Sequence, residues 1–363
     1  MSAEHRIVVL GAGYGGLAAA LRLARGRGVR VTVVDSRAEF VERVRLHQRA
    51  AGQSIPRWDL RERLSGKGIH FERARVRGID LDAKRVDLEP VAPDGETAID
   101  YDTLVYALGS GFDPAGVPGV VRYAVSVATP EDVREPRGSV AIVGGGATGI
   151  ELAAELAESR PGSRVTLLSS EEPGGWMSPR AAAHVRRALE RLGVEIRSGA
   201  KVVEVLADGV RLADGSVVAA DTTVWTTGFG VPRVAAESGL AVDAHGRVRT
   251  DASLRSVSHP DVYAIGDSAV LPGRGGRELR MACATAIPSG GYAARAIAAR
   301  LRGHEPRDFD FRYVAQCVSL GRRDGVIQLL RADDSPARTV LTGRLGARAK
   351  ELVVLGAGWS VRP

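Results

Sequence analysis

The sequence predicts an α/β protein of two parallel-sheet modules, one inserted in the other, with a small C-terminal region. Two observations predict it. First, a strand, a glycine-rich turn and an alanine- and leucine-rich helix occur twice, about 130 residues apart. Ile7-Val8-Val9-Leu10 runs into Gly11-Ala12-Gly13-Tyr14-Gly15-Gly16, and Val140-Ala141-Ile142-Val143 runs into Gly144-Gly145-Gly146-Ala147-Thr148-Gly149. Second, after the repeated unit the chain returns to an apolar strand, Val262-Tyr263-Ala264-Ile265, that ends in Gly266-Asp267. G-x-G-x-x-G between a strand and a helix marks a Rossmann-like, dinucleotide-binding half. A module that opens the chain and is resumed after a second one implies insertion.

The elements follow in order. Residues 1–35 read as β-α-β, with Val31-Thr32-Val33-Val34 as second strand and Asp35 at its tip. Short alternating runs over 69–108 read as strands, with a turn at Pro93-Asp94-Gly95. The Gly- and Pro-rich stretch 109–138 reads as a crossover, and the β-α-β pattern restarts at Val140 and reaches Ser169. A helix is expected at about Ala181–Leu192, a strand at 221–227, and a last large helix at about Gly290–Leu301. The expected division is 1–110 and 228–303 for the outer module, 111–227 for the inserted one and 304–363 for the C-terminal region.

Composition narrows the class. Apolar residues make up 44% of 363, enough for two cores, but aromatics only 5%, so packing leans on Val, Leu, Ala and Ile. No apolar run approaches the 18 or so residues of a membrane-spanning helix. The first strand starts within six residues of Met1, which leaves no room for a signal peptide and makes the cytoplasm the default compartment. The net charge of +7 is carried by scattered arginines, with lysine only at Lys67, Lys84, Lys201 and Lys350. Without blocks of like charge or interleaved aromatics, nucleic-acid binding is not expected. Cys283 and Cys317 form neither a C-x-x-C pair nor a metal-ligand spacing, and no structural metal is expected.

The chemistry sits on the two turns. Glycines at 11, 13 and 16 let a backbone approach a pyrophosphate at a helix N-terminus, and Asp35, with Ser36 beside it, is placed to take a ribose diol. Aligning Val165-Thr166-Leu167-Leu168 with the first module's second strand puts Ser169 where Asp35 sits. That removes the carboxylate that repels a ribose 2′-phosphate, yet no arginine follows directly, so NADH and NADPH both stay open.

Several segments together resemble the two-dinucleotide-binding-domain flavoproteins of the pyridine nucleotide-disulfide oxidoreductase type, close to the type II NADH dehydrogenases. They are Gly11 to Ala20, Tyr101-Asp102-Thr103-Leu104-Val105-Tyr106-Ala107-Leu108-Gly109-Ser110, Gly144 to Ala153, Val224-Trp225-Thr226-Thr227-Gly228, and His259 to Ser268. The resemblance spans residues 7 to about 300 in the correct order. It implies FAD in the outer module, with Gly11, Gly13, Gly15 and Gly16 at its pyrophosphate, Asp35 at its ribose, Gly109 and Gly266 nearby and Asp267 at the ribityl chain. It implies a nicotinamide nucleotide, NADH or NADPH, in the inserted module, held by Gly144, Gly146, Thr148, Gly149, Ser169 and Gly228. Glu151 falls in the family's Gly-x-Thr-Gly-x-Glu pattern near flavin and nicotinamide, although an acid there also serves the helix dipole. Cys317 lies where sulfide:quinone oxidoreductases, relatives in this superfamily, carry a redox cysteine; a buried inert thiol is the alternative.

The sequence departs from the pattern after the Gly-Asp strand, where Ala284-Thr285-Ala286-Ile287-Pro288-Ser289-Gly290 carries no glutamine. Leu341, Leu345, Ala349 and Leu352 form a narrow stripe expected to pack on the protein's own body, with peripheral binding at the inner face of the membrane as the alternative. His47 is expected at the surface. The reading is therefore an FAD-dependent NAD(P)H oxidoreductase that passes hydride to FAD and electrons to a quinone-like small molecule, on an architecture where homodimers are common by the resemblance. A ferredoxin-type carrier reductase, a sulfide-oxidising relative and a low-turnover redox sensor stay open.

Overall fold

The computed structural model describes residues 4–114 and 116–362. Strand β1 (His5–Leu10) feeds helix α1 (Tyr14–Leu23), which returns to β2 (Val29–Asp35). The sheet is extended by β3 (His70–Asp80), β4 (Arg85–Pro90), β5 (Ala98–Asp100) and β6 (Thr103–Tyr106), and completed by β12 (Val262–Ala264). Its order is β12-β6-β1-β2-β3-β4-β5. The first five strands pair in parallel and the last two as antiparallel hairpins. The parallel strands are buried on both faces, which is why they read as continuous apolar runs rather than as alternation.

Between β6 and β12 the chain builds a second sheet from β7 (Ala124–Ser126), β8 (Val140–Val143), β9 (Val165–Ser169), β10 (Glu195–Ser198) and β11 (Thr222–Trp225). Its order is β7-β11-β8-β9-β10, all parallel. Helix α3 (Ala147–Ser159) follows β8, and α4 (Pro179–Arg191) follows β9. Ser178 caps α4 by accepting the Ala181 N–H, with Pro179 at the first helical position, where its missing N–H leaves no bond unmade.

Helix α5 (Cys283–Leu301) begins seven residues earlier than expected and runs through Pro288. Cys283 is thus its first residue and does not precede it. The hydroxyl of Thr285 donates to the carbonyl of Ala282 at 2.9 Å and that of Ser289 to the carbonyl of Ala286 at 2.9 Å, tying the turns on either side of the proline. Helix α5 lies on α1 through glycines: a Cβ at Gly290 would stand 2.1 Å from the Gly15 carbonyl oxygen.

The C-terminal region is an antiparallel sheet of β13 (Ala315–Ser319), β14 (Gly325–Leu330) and β15 (Pro336–Thr342), covered by helix α6 (Gly343–Ser360). Val318, Leu320 and Val326 join the core of the second sheet, as do Leu46 and Ala50 of the short helix α2 (Leu46–Ala50). The stripe expected to pack inward does not. Leu341 belongs to β15, and Leu345 and Leu352 face solvent. The inward face of α6 is Gly346, Lys350, Val354 and Gly358. Gly346 brings the helix onto the Gly325 carbonyl, where a Cβ would stand at 2.2 Å, so the small residues rather than the leucines set which face turns in.

Gly290→Ala should lower stability by about 1–3 kcal/mol, because the added methyl meets backbone that has no slack. In Gly356→Ala the added methyl meets open space on an exposed turn of α6, and the substitution should gain up to about 1 kcal/mol of helix propensity. Urea midpoints with unchanged slope check both.

Candidate functional site

The two glycine turns fold alike. The third glycine of each motif lies over the carbonyl of the first, and a Cβ on Gly16 or Gly149 would stand 1.9 Å from the oxygen of Gly11 or Gly144. The first glycines adopt φ of +101° and +123°, a backbone region that favours glycine. The middle glycines, Gly13 and Gly146, are the N-caps of α1 and α3. Neither helix has a capping side chain or an acid in its first turn, and a Cβ on either N-cap would enter open space. The free N–H groups and the positive helix end are therefore presented at two places to an anionic group. This is the donor set and clearance that a dinucleotide pyrophosphate needs.

Around the first turn, the ends of four strands converge. Asp35 reaches back so that its Oδ2 accepts the Ala12 N–H at 2.8 Å, while Oδ1 accepts the Arg37 N–H at 2.9 Å. The Ser36 carbonyl accepts from Arg73 Nε at 3.4 Å. Gly109 follows β6 with φ +69° and Gly266 follows β12 with φ +66°. The Ser110 hydroxyl donates to Asp267 Oδ2 at 2.6 Å, and Gly15 packs against the Ala286 carbonyl of α5. Into this junction comes Arg43, which the sequence reading missed. Its Nε donates to the Ala128 carbonyl at 3.0 Å, and Nη1 lies 3.9 Å from Asp267 Oδ2. Burial pulls this guanidinium below its ordinary range, while Asp267 opposes the shift.

Around the second turn, Thr226 Oγ1 donates to the Val143 carbonyl at 2.8 Å and closes β11 onto β8, with Gly228 beyond it at φ +73°. Thr148 is half-buried at the start of α3. Ser169 lies at the tip of β9 and packs on the turn, for a Cβ at Gly145 would stand 2.3 Å from its Oγ. It pairs in register with Ser198, whose hydroxyl donates to Glu172 at 2.7 Å. Arg186 holds the same Glu172 by two bonds of 2.7 and 2.6 Å.

Glu151 is buried where α3, α2, β13 and α6 meet. Its Oε1 accepts the Ser319 N–H at 3.0 Å and a bond from Lys350 Nζ. Lys350 also donates to Ser319 Oγ at 3.0 Å. His47 Nδ1 lies 3.7 Å from Glu151 Oε2. Contrary to the surface position expected, His47 is buried, because α2 tucks under the C-terminal sheet. Burial pushes the Glu151 carboxyl up, but Lys350 and His47 overcome this and hold it below the usual carboxylate range. Burial pushes His47 down to about 4, so the ring is neutral at neutral pH despite the carboxylate beside it. One turn further along α3, Glu155 is fully buried; Gln53 donates to one oxygen and the other has no partner among the described residues. Burial raises its pKa. The sequence pointed to Glu151 through its motif. Lys350 was visible only as one of four lysines, and nothing local marked its contact.

Cys317 lies on β13 and Cys283 at the start of α5. Burial pushes Cys283 up to about 11 and raises Cys317 as well, so neither is a ready thiolate. No group of three or more metal-ligating side chains occurs among the described residues.

Replacing Lys350 by Met should destabilise the protein by about 3–5 kcal/mol, since the Glu151 charge is left buried and unpaired. The double variant Glu151→Gln/Lys350→Met should recover most of that loss in a thermal or urea melt. Glu155 gives an opposite pH signature to Glu151. Its folded pKa is raised, so the stability it contributes below the ordinary carboxylate range is lost as pH rises through the folded value. Glu155→Gln should therefore flatten the upper part of the stability–pH profile and leave the low-pH end little changed.

A family profile described as pyridine nucleotide-disulphide oxidoreductase matches residues 5–290, taking in both turns, β12 and the start of α5. An NADH dehydrogenase-like protein of Mycobacterium tuberculosis is 32% identical over 321 residues, covering 79% of this chain and 78% of the relative. Demethylphylloquinone reductase of Synechocystis sp. is 26% identical over 394 residues, covering 99% and 97%. Among solved structures, NDH2 of Plasmodium falciparum in complex with NADH superposes with a TM-score of 0.84 at 15% identity, covering 99% of this chain and 96% of that one; this likeness concerns the fold. With two uncapped glycine turns on two parallel sheets, and a profile match that spans them both, the chain belongs to the pyridine nucleotide-disulphide oxidoreductase family.

Proposed function

We propose that this protein is an FAD-dependent dehydrogenase that takes hydride from NADH and passes electrons to a quinone. The observation that carries the reading is the pair of uncapped helix N-termini, each under a glycine turn with open space above it, in one chain. The relatives that match along most of their length include a demethylphylloquinone reductase and an NADH dehydrogenase-like protein, which supports both the donor and the acceptor class.

The residue roles follow. Gly11, Gly13 and Gly16 with the α1 N-terminus hold the FAD pyrophosphate, Asp35 holds its ribose, and Asp267 with Ser110 and Arg43 holds the ribityl side. Bound there, FAD supplies the redox chemistry, accepting hydride and releasing electrons to the acceptor. Gly144, Gly146 and Gly149 with the α3 N-terminus hold the nicotinamide nucleotide's pyrophosphate, with Thr148 and Gly228 beside it. Arg43 keeps a positive charge by the ribityl side, and the Glu151 carboxylate with the neutral His47 offers proton-accepting atoms at the junction of the two modules and the C-terminal sheet.

NADH is favoured over NADPH. Ser169 no longer repels a 2′-phosphate, but the guanidinium at that strand end, Arg186, is taken up by Glu172. The acceptor is apolar. By strand register Cys317, Ile327 and Leu341 stand side by side on one face of the C-terminal sheet, with Leu329 two residues along. Since both thiols are held protonated, no thiolate step is assigned to Cys317.

The test is an anaerobic titration of the purified protein with NADH and with NADPH, following the flavin band. Rapid bleaching by NADH and slow bleaching by NADPH is the expected result, and bound flavin that neither reduces would overturn the reading. Glu172→Ala frees Arg186 for a 2′-phosphate and should shift the ratio of kcat/KM values toward NADPH by roughly tenfold, the worth of one charge-assisted hydrogen bond.

A further inference from the structure

One buried carboxyl group has no part in the chemistry above. Glu155, on α3, is fully buried. Gln53 Nε2, from the turn after α2, donates to its Oε1, and Oε2 has no partner among the described residues. A carboxylate left half-satisfied in the interior is far costlier than the neutral acid. Burial accordingly raises this carboxyl, against the pull of Gln53, Arg322 and Lys350, while Glu158 adds to the rise. From α2 comes His47, which is neutral and lies beside Glu151.

Glu155 stands in a row. Glu151, Glu155 and Glu158 occupy positions i, i+4 and i+7 of α3 and share one face of the helix, with roughly 5–6 Å between neighbouring Cβ atoms. The row runs from the interior to the surface. At its outer end Glu158 is half-buried and accepts the Arg322 N–H. A Cβ at Gly321 would stand 2.6 Å from Glu158 Oε2, so the turn that carries Arg322 lies directly on this carboxylate. At its inner end Glu151 accepts the Ser319 N–H, two residues from Cys317 on the same strand. The charges of Lys350 and Glu151 both act on the Cys317 thiol. The inner end of the row therefore borders the strand face assigned to the acceptor.

We propose that Glu155 is a proton relay, which carries a proton from the surface at Glu158 to the Glu151 carboxylate for transfer to the quinone as it is reduced. The inference rests on the quinone reading above. NADH gives a hydride, that is two electrons and one proton, whereas a quinone takes two electrons and two protons to become a quinol. Each turnover therefore draws one proton from water. In the relay the O–H bond at Glu155 Oε2 breaks as one forms at Glu151. Glu155, left as a carboxylate, takes the next proton from water by way of Glu158 and returns to the acid that its surroundings favour. The transfer is uphill at rest, since Glu155 favours the acid and Glu151 the carboxylate. Negative charge developing on the quinone draws the proton across, so it moves only when electrons do. Glu155 touches no acceptor itself and acts through Glu151.

The test compares two acceptors in Glu155→Gln, whose amide keeps the shape of the side chain and the bond from Gln53. Ferricyanide takes an electron and no proton, and a water-soluble quinone takes both. The ratio of quinone kcat to ferricyanide kcat should fall by roughly thirtyfold with the quinone KM unchanged, less than the hundredfold or more lost with a group that meets the reacting atoms. In the wild type this ratio should decline as pH rises, because Glu155 is without its proton above its folded pKa. In Glu155→Gln it should be low and level. Glu158→Gln, at the half-exposed outer end where folding is not at stake, should lower the ratio severalfold and keeps the route testable if Glu155→Gln does not fold. A wild-type ratio at every pH in a folded Glu155→Gln, or in Glu158→Gln, would overturn the relay. Equal loss with both acceptors would mark a structural role and overturn it as well. Wild-type protein that reduces ferricyanide and no quinone would instead overturn the quinone reading on which the relay rests.

Discussion

The charge on Glu151 can stay in the interior only because Lys350 reaches it from the far end of the chain. The carboxylate belongs to the first turns of α3, the histidine beside it to α2, and the serine that shares its bonds to β13. Four segments far apart in sequence thus depend on one buried ion pair for their relative placement. An apolar pair would pack as well, and a buried ion pair is weak evidence of added stability. It does impose register: α6 cannot slide along the sheet by a turn without leaving two charges unmatched. The glycine at 346 fits this arrangement, for it lets the helix come down onto the Gly325 carbonyl, one turn before the lysine.

What could be read from the sequence was local. A strand, three glycines at fixed spacing and a helix lie within about ten residues each, so both turns, with Asp35 and Ser169 at the matching strand tips, were legible before any tertiary contact was known. The inserted order of the two sheets followed from the return to Val262–Asp267. Lys350 and Arg43 were not legible. Each is an ordinary cation in its own neighbourhood, and its role is set by a carboxylate that comes near only after folding. His47 was misplaced for the same reason, since Leu46-His47-Gln48 carries no periodicity that reveals which side is covered. In α6 a periodic leucine stripe was present and its direction was misjudged: two glycines out-competed it for the inner face.

The two turns illustrate how duplicate geometry takes on different duties. Both rest the third glycine on the first glycine's carbonyl at the same separation, and both leave the helix uncapped. They differ at the neighbouring strand tip. Asp35 is turned back onto its own loop, where it accepts the Ala12 and Arg37 N–H groups. Ser169 is short enough to lie flat against Gly145, and the acidic function has moved to Glu172, where it is spent on Arg186. The flanking positions, rather than the glycines, differentiate the sites.

The position of β12 in the first sheet has a consequence for how the chain is made. That strand pairs with β6, yet more than 150 residues separate them, and the whole second sheet lies between. A ribosome delivers both strand ends that hold Ser110 and Asp267 only after the intervening module has emerged. The second sheet can close on its own strands as soon as β11 is out. The outer module must wait with an open edge at β6, exposed to wrong partners, until β12 arrives. Assembly of this protein is therefore nested like its topology, with the strands of the inserted sheet paired before β12 seals the outer one, and the core of the inserted module completed only when Val318, Leu320 and Val326 arrive from the C-terminal sheet.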